Sequence, residues 1–164
     1  MKHIHFDVES DGFYGAYWAC KDGSDCAVIA MIGDDPEDYM ARSAVKWLLR
    51  LGVNVLTMSP GKKDYGHHNY PLECIEKAIA WLKLHDNEKI GIAGASTTGT
   101  LALTAASLFD NISLTIAMTP QRLCVAGVHA GQKGWLQGMA NRGRITLFLQ
   151  GKALAIHAVS LSAP

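Results

Sequence analysis

The sequence predicts an α/β fold, a three-layer arrangement in which helices cover both faces of a mostly parallel sheet. Four short, continuous apolar runs predict strands that are buried on both faces, at residues 26–33, 53–58, 89–95 and 112–118. Between these runs, apolar residues recur at helical spacing. Strands and helices that alternate at this pitch are typical of a parallel sheet with right-handed crossovers.

Start and stop signals give approximate bounds to the helices. The first helix begins near Pro36, among acidic residues, and Gly52 ends it where a left-handed residue is favoured. The second begins at Pro71, and the third occupies residues 97–108, which are small and apolar. Residues 1–25 are expected to add one or two antiparallel edge strands.

Length, composition and charge limit the function classes. The 164 residues, 49% of them hydrophobic, suit one compact domain. The formal net charge is zero, and no apolar run approaches the roughly 20 residues that span a bilayer, so neither a nucleic-acid nor a membrane partner is expected. The four cysteines form no C-x-x-C pair, and the N-terminus lacks the pattern of a signal peptide. We therefore expect a cytoplasmic protein without a metal or another cofactor, and the oligomeric state is left open.

Residues 94–99, Gly-Ala-Ser-Thr-Thr-Gly, follow a predicted strand and precede a predicted helix. This arrangement resembles the nucleophile elbow of α/β-hydrolases, a sharp turn that lifts a serine hydroxyl above the sheet. Small residues two before and two after the serine let strand and helix approach. Gly94 fills the first place, whereas Thr98 stands in the second and the glycine comes one residue later, at Gly99. Ser96 is therefore predicted to be a catalytic nucleophile; the alternative is a serine that only caps the helix.

An acyl-transfer site also needs N–H donors for the oxyanion that forms. The first candidate is the backbone N–H of Thr97, the residue after the proposed nucleophile. The second is an N–H of the loop after the first core strand, around Gly33-Asp34, which makes Asp34 the second candidate. The positive end of the helix that begins at Thr97 also favours an anion there. The alternative is that the Gly33-Asp34-Asp35 loop is an ordinary strand-to-helix turn.

Two other features of the sequence could be sites but are interpreted as structural. The pair His67-His68 is interpreted as part of a solvated loop and not as a metal site or a base, because adjacent residues do not share a face and no carboxylate cluster accompanies them. Trp47 and Trp81 lie on predicted helices and are interpreted as core or helix-to-sheet packing and not as a binding platform.

Residues 26–120 resemble the acyl-CoA thioester hydrolase / bile acid-CoA:amino acid N-acyltransferase C-terminal family of the α/β-hydrolases. The likeness is carried by residues 31–33, 53–60, 89–96 and 115–120. It implies hydrolysis or transfer of an acyl group through an acyl-serine on Ser96, with a small-molecule thioester or ester as substrate and Thr97 as an oxyanion donor. Other proteins of this fold cleave esters, lactones or peptides, and fold alone does not choose among them.

The partners of a catalytic triad are missing from the sequence. In this fold the acid and the histidine follow the serine along the chain. Asp110 is the only acid after Ser96, and it lies at the far end of the predicted helix, about 18 Å away at roughly 1.5 Å per residue. His129 and His157 follow without an acid to orient them. The sequence therefore predicts an incomplete triad.

Residues 121–164 differ in composition from the rest of the chain. They contain no Asp or Glu, where average usage would give about six, and apart from a candidate strand at residues 145–149 they lose their periodicity. With permitted codons, dropping one base near codon 120 restores acids, aromatics and prolines. We interpret this tail as the product of a shifted reading frame or a truncated gene model; the alternative is a genuine C-terminal extension. Residues 1–120 are then the N-terminal portion of an α/β-hydrolase domain, its sheet truncated after the strand that follows Ser96.

Three functions stay open on these grounds. The first is a serine acyl hydrolase or acyltransferase, catalytically incomplete as written. The second is a non-catalytic fragment or binding module with a vestigial elbow, and the third is a carboxylesterase or a dienelactone-hydrolase-like enzyme. A flavodoxin-like or Rossmann-type domain is disfavoured, because Gly91 and Gly94 lie within the predicted strand and provide no G-x-G-x-x-G turn.

Overall fold

One sheet and four helices form the part of the chain that the computed structural model describes, namely residues 3–59, 70–118, 145–149 and 152–154. The strands are β1 (Ile4–Phe6), β2 (Gly15–Trp18), β3 (Cys26–Met31), β4 (Asn54–Met58), β5 (Lys89–Ala95), β6 (Ile112–Met118), β7 (Ile145–Leu149) and β8 (Lys152–Leu154). The helices are α1 (Val8–Asp11), α2 (Tyr39–Arg50), α3 (Leu72–Leu84) and α4 (Thr97–Leu108).

The described strands join in the order β1-β2-β4-β3-β5-β6-β7-β8. The central strands β4, β3, β5 and β6 are parallel neighbours. The pairs at the two edges, β1 with β2 and β7 with β8, are antiparallel, as are the junctions of these pairs with β4 and β6. The mostly parallel sheet and its antiparallel N-terminal edge are thus confirmed, and the parallel part ends at β6, the strand that follows Ser96.

The bounds of most elements agree with the sequence prediction, and the exceptions have local causes. β5, α4 and β6 occupy the predicted residues. α2 begins at Tyr39 and not near Pro36, because the Asp38 side chain accepts the Ala41 N–H as the N-cap of the helix. The four-residue helix α1 was not predicted, since it is too short to show a period.

Helices cover the two faces of the sheet unequally. α3 and α4 pack on one face, over a large apolar core whose biggest fully buried side chains include Phe13, Ile29, Leu56, Ile75, Leu82 and Ile92. α2 packs on the other face, over a smaller core that contains Trp18, Val28, Val45, Leu48 and Val55. The described structure therefore has the three predicted layers, which are α3 with α4, the sheet, and α2.

The two helical tryptophans differ in their surroundings. Trp81 packs edge-on against Phe6 and Tyr17, with ring centroids 4.8 and 4.9 Å away, as the prediction of core packing requires. Trp47 is 53% exposed, so the same prediction is wrong for this residue. The buried stripe of α2 passes through Val45 and Leu48 and leaves Trp47 on the solvent side of the helix.

A buried polar pair joins the loop before β3, strand β4 and the end of α3. The Asn54 Nδ2 donates to Asn87 Oδ1 over 2.8 Å and to the Ser24 carbonyl over 2.9 Å, while Asn54 Oδ1 accepts the Cys20 N–H over 2.8 Å. Asn87 Nδ2 in turn donates to the Leu82 carbonyl over 3.0 Å. Because both amides are buried, these bonds satisfy groups that water does not reach.

Several predictions concern residues beyond the described ranges. The His67-His68 pair, His129 and His157 lie outside them, and so does most of the 121–164 tail, whose proposed frameshift stays a prediction. The candidate strand at residues 145–149 is present as β7. Among the described helices, none has the length and apolar character needed to cross a membrane.

Candidate functional site

The sheet changes its winding direction between β3 and β5. From β3 the chain crosses to β4 on one side, and from β4 it passes back beyond β3 to reach β5 on the other side. Ligands of open α/β sheets bind at such a switch point, outside the carboxyl ends of the strands. Two segments leave these ends, the loop of residues 32–38 after β3 and the turn at Ser96 after β5. Topology thus places both sequence-predicted parts of the site at this crevice.

Ser96 occupies a backbone conformation that residues with a side chain rarely adopt. Its φ is 56° and its ψ is −119°. Strain of this kind costs about 1–3 kcal/mol and persists only where the surrounding structure holds it. Here the Ser96 N–H donates to the Met118 carbonyl at the end of β6 over 2.9 Å, and the Ser96 carbonyl accepts the Thr100 N–H over 3.3 Å. The turn is therefore held from the sheet and from the helix.

The conformation of Ser96 differs from that of a helix N-cap. In an ordinary N-cap the backbone is extended and the side-chain oxygen accepts an N–H of the first turn. Asp38 shows both properties at the start of α2, with φ −68° and ψ 177°. Ser96 precedes α4 with a positive φ, and its side chain makes no capping hydrogen bond. Ser96 therefore does not cap α4 through its side chain.

Gly94 and Gly99 lie on the two sides of the turn, near the end of β5 and in the first turn of α4. A Cβ added at Gly94 would collide with the backbone carbonyl of Thr98 and would come within 2.8 Å of the Gly99 nitrogen. Because these are backbone atoms of the first helical turn, no side-chain movement relieves the contact. The two glycines predicted to support the turn are thus brought together, and the first of them must lack a side chain.

Thr98 fills the place where the sequence pattern favours a small residue. Its side chain is buried, with Oγ1 2.5 Å from the Met31 carbonyl and 2.8 Å from the Ala95 carbonyl. The same oxygen accepts the Ala95 N–H over 2.9 Å. The hydroxyl therefore pairs backbone groups at the ends of β3 and β5, which explains how threonine is accommodated here. From the sequence, Thr98 is only a departure from the small-residue pattern, and this role is not visible there.

Thr97 is the first residue of α4 and is half-buried. The N–H groups of the first helical turn have no acceptor four residues earlier within the helix, and they carry the positive end of the helix dipole. The Thr97 amide therefore lies at the positive end of α4, directly after Ser96 in the chain. This is the position that an oxyanion donor needs along the chain.

The second predicted donor, the Asp34 amide, already has an acceptor. The Asp34 N–H donates to Asp38 Oδ2 over 2.8 Å, and the Asp35 N–H reaches the same oxygen over 3.2 Å. Gly33 has a φ of +100°, and a Cβ there would collide with the Asp38 carboxylate. Asp38 Oδ1 meanwhile accepts the Ala41 N–H over 2.8 Å. The Asp38 carboxylate thus accepts hydrogen bonds from amides of the loop and from an amide in the first turn of α2.

These hydrogen bonds govern the ionisation of Asp38. Burial would raise the pKa of the Asp38 carboxyl, but the N–H groups of Ala41, Asp35 and Asp34 that it accepts hold this pKa below its ordinary value. The carboxylate is therefore charged at neutral pH. Sequence reasoning missed Asp38, although an aspartate three residues before Ala41 in an acidic helix start is the pattern of an N-cap.

Further contacts anchor the same loop. The Ser59 hydroxyl, at the end of β4, donates to the Asp34 carbonyl over 2.6 Å. The Glu37 carboxylate lies against two imidazoles of the N-terminal segment, with His3 Nε2 2.6 Å and His5 Nδ1 3.4 Å from its oxygens. The loop after β3 is therefore fixed to the end of β4 and to the N-terminal segment independently of Asp38.

The described residues do not supply the rest of a triad. Asp110 is exposed in the turn that follows α4, at the opposite end of that helix from Ser96. Residues 97–118 contain no histidine, and the later histidines lie outside the described ranges. No group of described side chains has the composition of a metal site. The arrangement thus offers a strained serine and helix-end amides, without an identified base.

Residues 70–159 match the family described as BAAT / Acyl-CoA thioester hydrolase C terminal. The match covers more than half of the chain, includes the Ser96 turn, and extends into the acid-free tail. No curated protein matches the chain.

Solved structures of esterases share the architecture. The esterase Pf2001 of Pyrococcus furiosus is 23% identical, with a TM-score of 0.59 over 74% of this chain and 51% of its own. Est1E from Butyrivibrio proteoclasticus is 22% identical, with a TM-score of 0.53 over 73% of this chain and 51% of its own. Esterase Est22 is 20% identical, with a TM-score of 0.53 over 75% of this chain and 44% of its own. The chain spans about half the length of these esterases and shares their fold.

Proposed function

Because the chain belongs to the BAAT / acyl-CoA thioester hydrolase C-terminal family and has an α/β-hydrolase fold, we propose that it is a serine acyl hydrolase. Ser96 is the proposed nucleophile, and the turn around it is the proposed nucleophile elbow. The observation that carries this proposal is the strained backbone of Ser96 at the carboxyl end of β5. A helix cap does not need this strain, whereas an elbow uses it to lift the serine hydroxyl out of the turn.

In the proposed reaction the Ser96 hydroxyl attacks the carbonyl carbon of an acyl thioester and gives up its proton to a base. The carbonyl electron pair moves to oxygen, and the resulting oxyanion takes hydrogen bonds from the Thr97 and Asp34 amides. When the carbonyl reforms, the carbon–sulfur bond breaks and the thiolate leaves, so that the acyl group stays on Ser96. Water, losing a proton to the base, then attacks the acyl-serine; the bond between the acyl carbon and Ser96 Oγ breaks, Ser96 takes a proton back and the acid leaves. In an acyltransferase an amine replaces water.

We also propose that the chain as written is a weak catalyst. Asp110 is the only acid after Ser96 and stands at the wrong end of α4. Removing triad members lowers the rate by several powers of ten and leaves the contribution of the oxyanion donors and of substrate binding. This supports the second candidate function, a binding module whose elbow is vestigial.

Covalent labelling with a fluorophosphonate probe tests the nucleophile. We expect slow labelling that Ser96→Ala abolishes and that Ser107→Ala, a serine at the other end of α4, leaves unchanged. Labelling that survives Ser96→Ala contradicts the proposal. A folded protein that is not labelled at all favours the binding module.

The substrate class follows from a direct comparison of leaving groups. The family description supports an acyl-CoA thioester, while the esterase neighbours support a carboxylic ester as the alternative, as in a carboxylesterase or a dienelactone-hydrolase-like enzyme. Release of free thiol from an acyl-CoA is measured against release of the alcohol from an alkyl ester of the same acyl chain, each relative to its uncatalysed rate. A larger acceleration of the alkyl ester at equal concentrations contradicts the thioesterase assignment.

The cytoplasm is the proposed location. Cys20, Cys26 and Cys74 are free thiols, in keeping with a compartment where thiols stay reduced. Cell fractionation with an antibody to the chain tests this, and recovery in a secreted fraction contradicts it.

A shifted reading frame is our proposal for residues 121–164. The nucleotide sequence tests it directly. A one-base shift near codon 120 is expected to open a long frame that encodes a late aspartate and a late histidine, with residues 1–120 unchanged. If no such reading frame exists, the tail is a genuine C-terminal extension.

A further inference from the structure

The Asp38 carboxylate already accepts a hydrogen bond from the Asp34 N–H, the group that the proposed reaction assigns to the oxyanion. Asp38 Oδ2 accepts the Asp34 N–H over 2.8 Å and the Asp35 N–H over 3.2 Å. Two successive amides that converge on one oxygen form an anion-binding concavity, and here a side chain of the same loop fills it. The site therefore contains an anion before any substrate arrives.

One N–H group cannot make a full hydrogen bond to two acceptors at once. An oxyanion that approaches the Asp34 amide competes with Asp38 for the same hydrogen, and the two negative charges also repel each other. The pKa of Asp38 lies below its ordinary value, so its carboxylate stays charged at the pH where a hydrolase works. The competition therefore persists throughout the neutral range.

We propose that Asp38 is a positioning residue that closes the oxyanion site of the resting protein, and that the Asp34 amide becomes a donor only when the Asp38 carboxylate moves away. This inference rests on the proposed function, because it takes Asp34 as an oxyanion donor. In the resting protein the loop resembles a substrate complex, because a carboxylate oxygen of Asp38 takes the place of the substrate oxygen.

The loop has anchors that do not involve Asp38. Ser59 holds the Asp34 carbonyl, and His3 and His5 hold Glu37. We therefore expect the Asp34 amide to keep its place when the second carboxylate oxygen of Asp38 is removed. The amide then becomes available to another anion.

Two variants remove that oxygen and retain the cap of α2. Asp38→Asn and Asp38→Ser each keep a side-chain oxygen that can accept the Ala41 N–H, since asparagine and serine are good N-cap residues. Glu37→Gln is the matched control, because it removes one negative charge from the same loop and leaves the acceptor of the Asp34 amide in place.

The direct test is binding of methylphosphonate, a small oxyanion, followed through the amide resonances of Asp34 and Thr97. Both Asp38 variants are expected to bind it roughly tenfold more tightly than the unaltered chain, the effect of one hydrogen bond to a charged group. The two amide resonances should shift together. Equal affinity in all proteins, or an equal gain in Glu37→Gln, overturns the inference.

Fluorophosphonate labelling of the same variants separates this inference from the proposed function. We expect Asp38→Asn and Asp38→Ser to raise the maximal labelling rate of Ser96 roughly tenfold, because the freed amide stabilises the forming adduct. If Ser96 is labelled in no protein but the Asp38 variants gain methylphosphonate affinity, the proposed function fails and the inference stands. If Ser96 is labelled and neither affinity nor rate changes, the inference alone fails.

A purely structural role for Asp38 has a different outcome. It predicts that both variants lose methylphosphonate affinity and labelling rate as their unfolding temperature falls. Thermal unfolding is therefore measured on each protein, and such a joint loss overturns the inference.

Discussion

At the scale of single residues, Gly94 and Thr98 allow the chain to bend at Ser96. The need for glycine at position 94 could be predicted from the sequence, since close approach of strand and helix leaves no room for a side chain. The role of Thr98 could not, because its hydroxyl pairs with the Met31 carbonyl, a group 67 residues away in the chain. Local patterns carry no information about such a partner.

Gly94→Ala is expected to destabilise the protein by about 1–3 kcal/mol, since the added methyl collides with the backbone of Thr98. Urea unfolding measures the loss. Gly91→Ala in the same strand is the control, because a Cβ there lies 3.5 Å or more from its neighbours. Equal losses in the two variants would contradict the close approach at Gly94.

Thr98→Val tests the buried hydroxyl. The substitution keeps the side-chain shape and leaves the Ala95 N–H without the acceptor it has at 2.9 Å, which should cost about 1–3 kcal/mol. Thr104→Val is the control in the same helix, since that hydroxyl only donates to the Thr100 carbonyl one turn earlier, over 3.0 Å. We expect its loss to stay below about 0.5 kcal/mol in urea unfolding. A Thr98→Val protein as stable as the Thr104→Val protein would show that the hydroxyl is dispensable.

At the scale of elements, regular periodicity decided what the sequence could predict. β5, α4 and β6 have long apolar patterns and agree with the prediction, whereas α1 has four residues and shows no period. The start of α2 was predicted from Pro36, whereas the cap is Asp38. Its bond to the Ala41 N–H has the local spacing of an N-cap, but its bond to the Asp34 N–H requires the folded loop. The exposure of Trp47 depends on which face of α2 packs against the sheet.

The capping bonds of α2 should make part of the stability depend on pH. The folded-state pKa of Asp38 is lowered, so its contribution is complete above the unfolded pKa of about 3.9 and is lost as the pH falls through the folded value. Asp38→Asn removes the charge, and we expect it to cost roughly 1 kcal/mol at pH 7. The stability difference between the two proteins should then shrink towards zero below about pH 4.

Urea midpoints of both proteins between pH 7 and pH 2 measure this difference. Asp22→Asn, in the turn before β3, controls for the loss of one negative charge. A stability difference for Asp38→Asn that stays constant over the whole range contradicts a charged cap.

At the scale of the whole molecule, the α/β class and the parallel core could be predicted, because alternation of strands and helices leaves few other arrangements. The antiparallel pairing of β7 with β6 could not, since nothing in the sequence framed that strand. The switch point also required the strand order, which is a long-range property. The Asn54–Asn87 pair, which joins β4 to the end of α3, is invisible to local patterns for the same reason.

A double-mutant cycle measures how strongly Asn54 and Asn87 join the start of β4 to the end of α3. Asn54→Ala and Asn87→Ala should each cost about 1–3 kcal/mol, because each leaves buried partners unsatisfied. The double variant should lose less than the sum, with a coupling energy of about 0.5–3 kcal/mol in urea unfolding. Strict additivity would mean that the 2.8 Å contact contributes nothing of its own.

The bond from the Ser96 N–H to the Met118 carbonyl has a consequence for evolution. Both ends of this bond lie in β5, α4 and β6 or in the turns between them, which follow one another in the chain, whereas the Thr98 hydroxyl beside the turn reaches the Met31 carbonyl at the end of β3. Elements so close in the chain are inherited together. Because the donor and the acceptor are backbone atoms, substitutions after Met118 leave both in place, and descendants with altered downstream residues can retain the bend at Ser96.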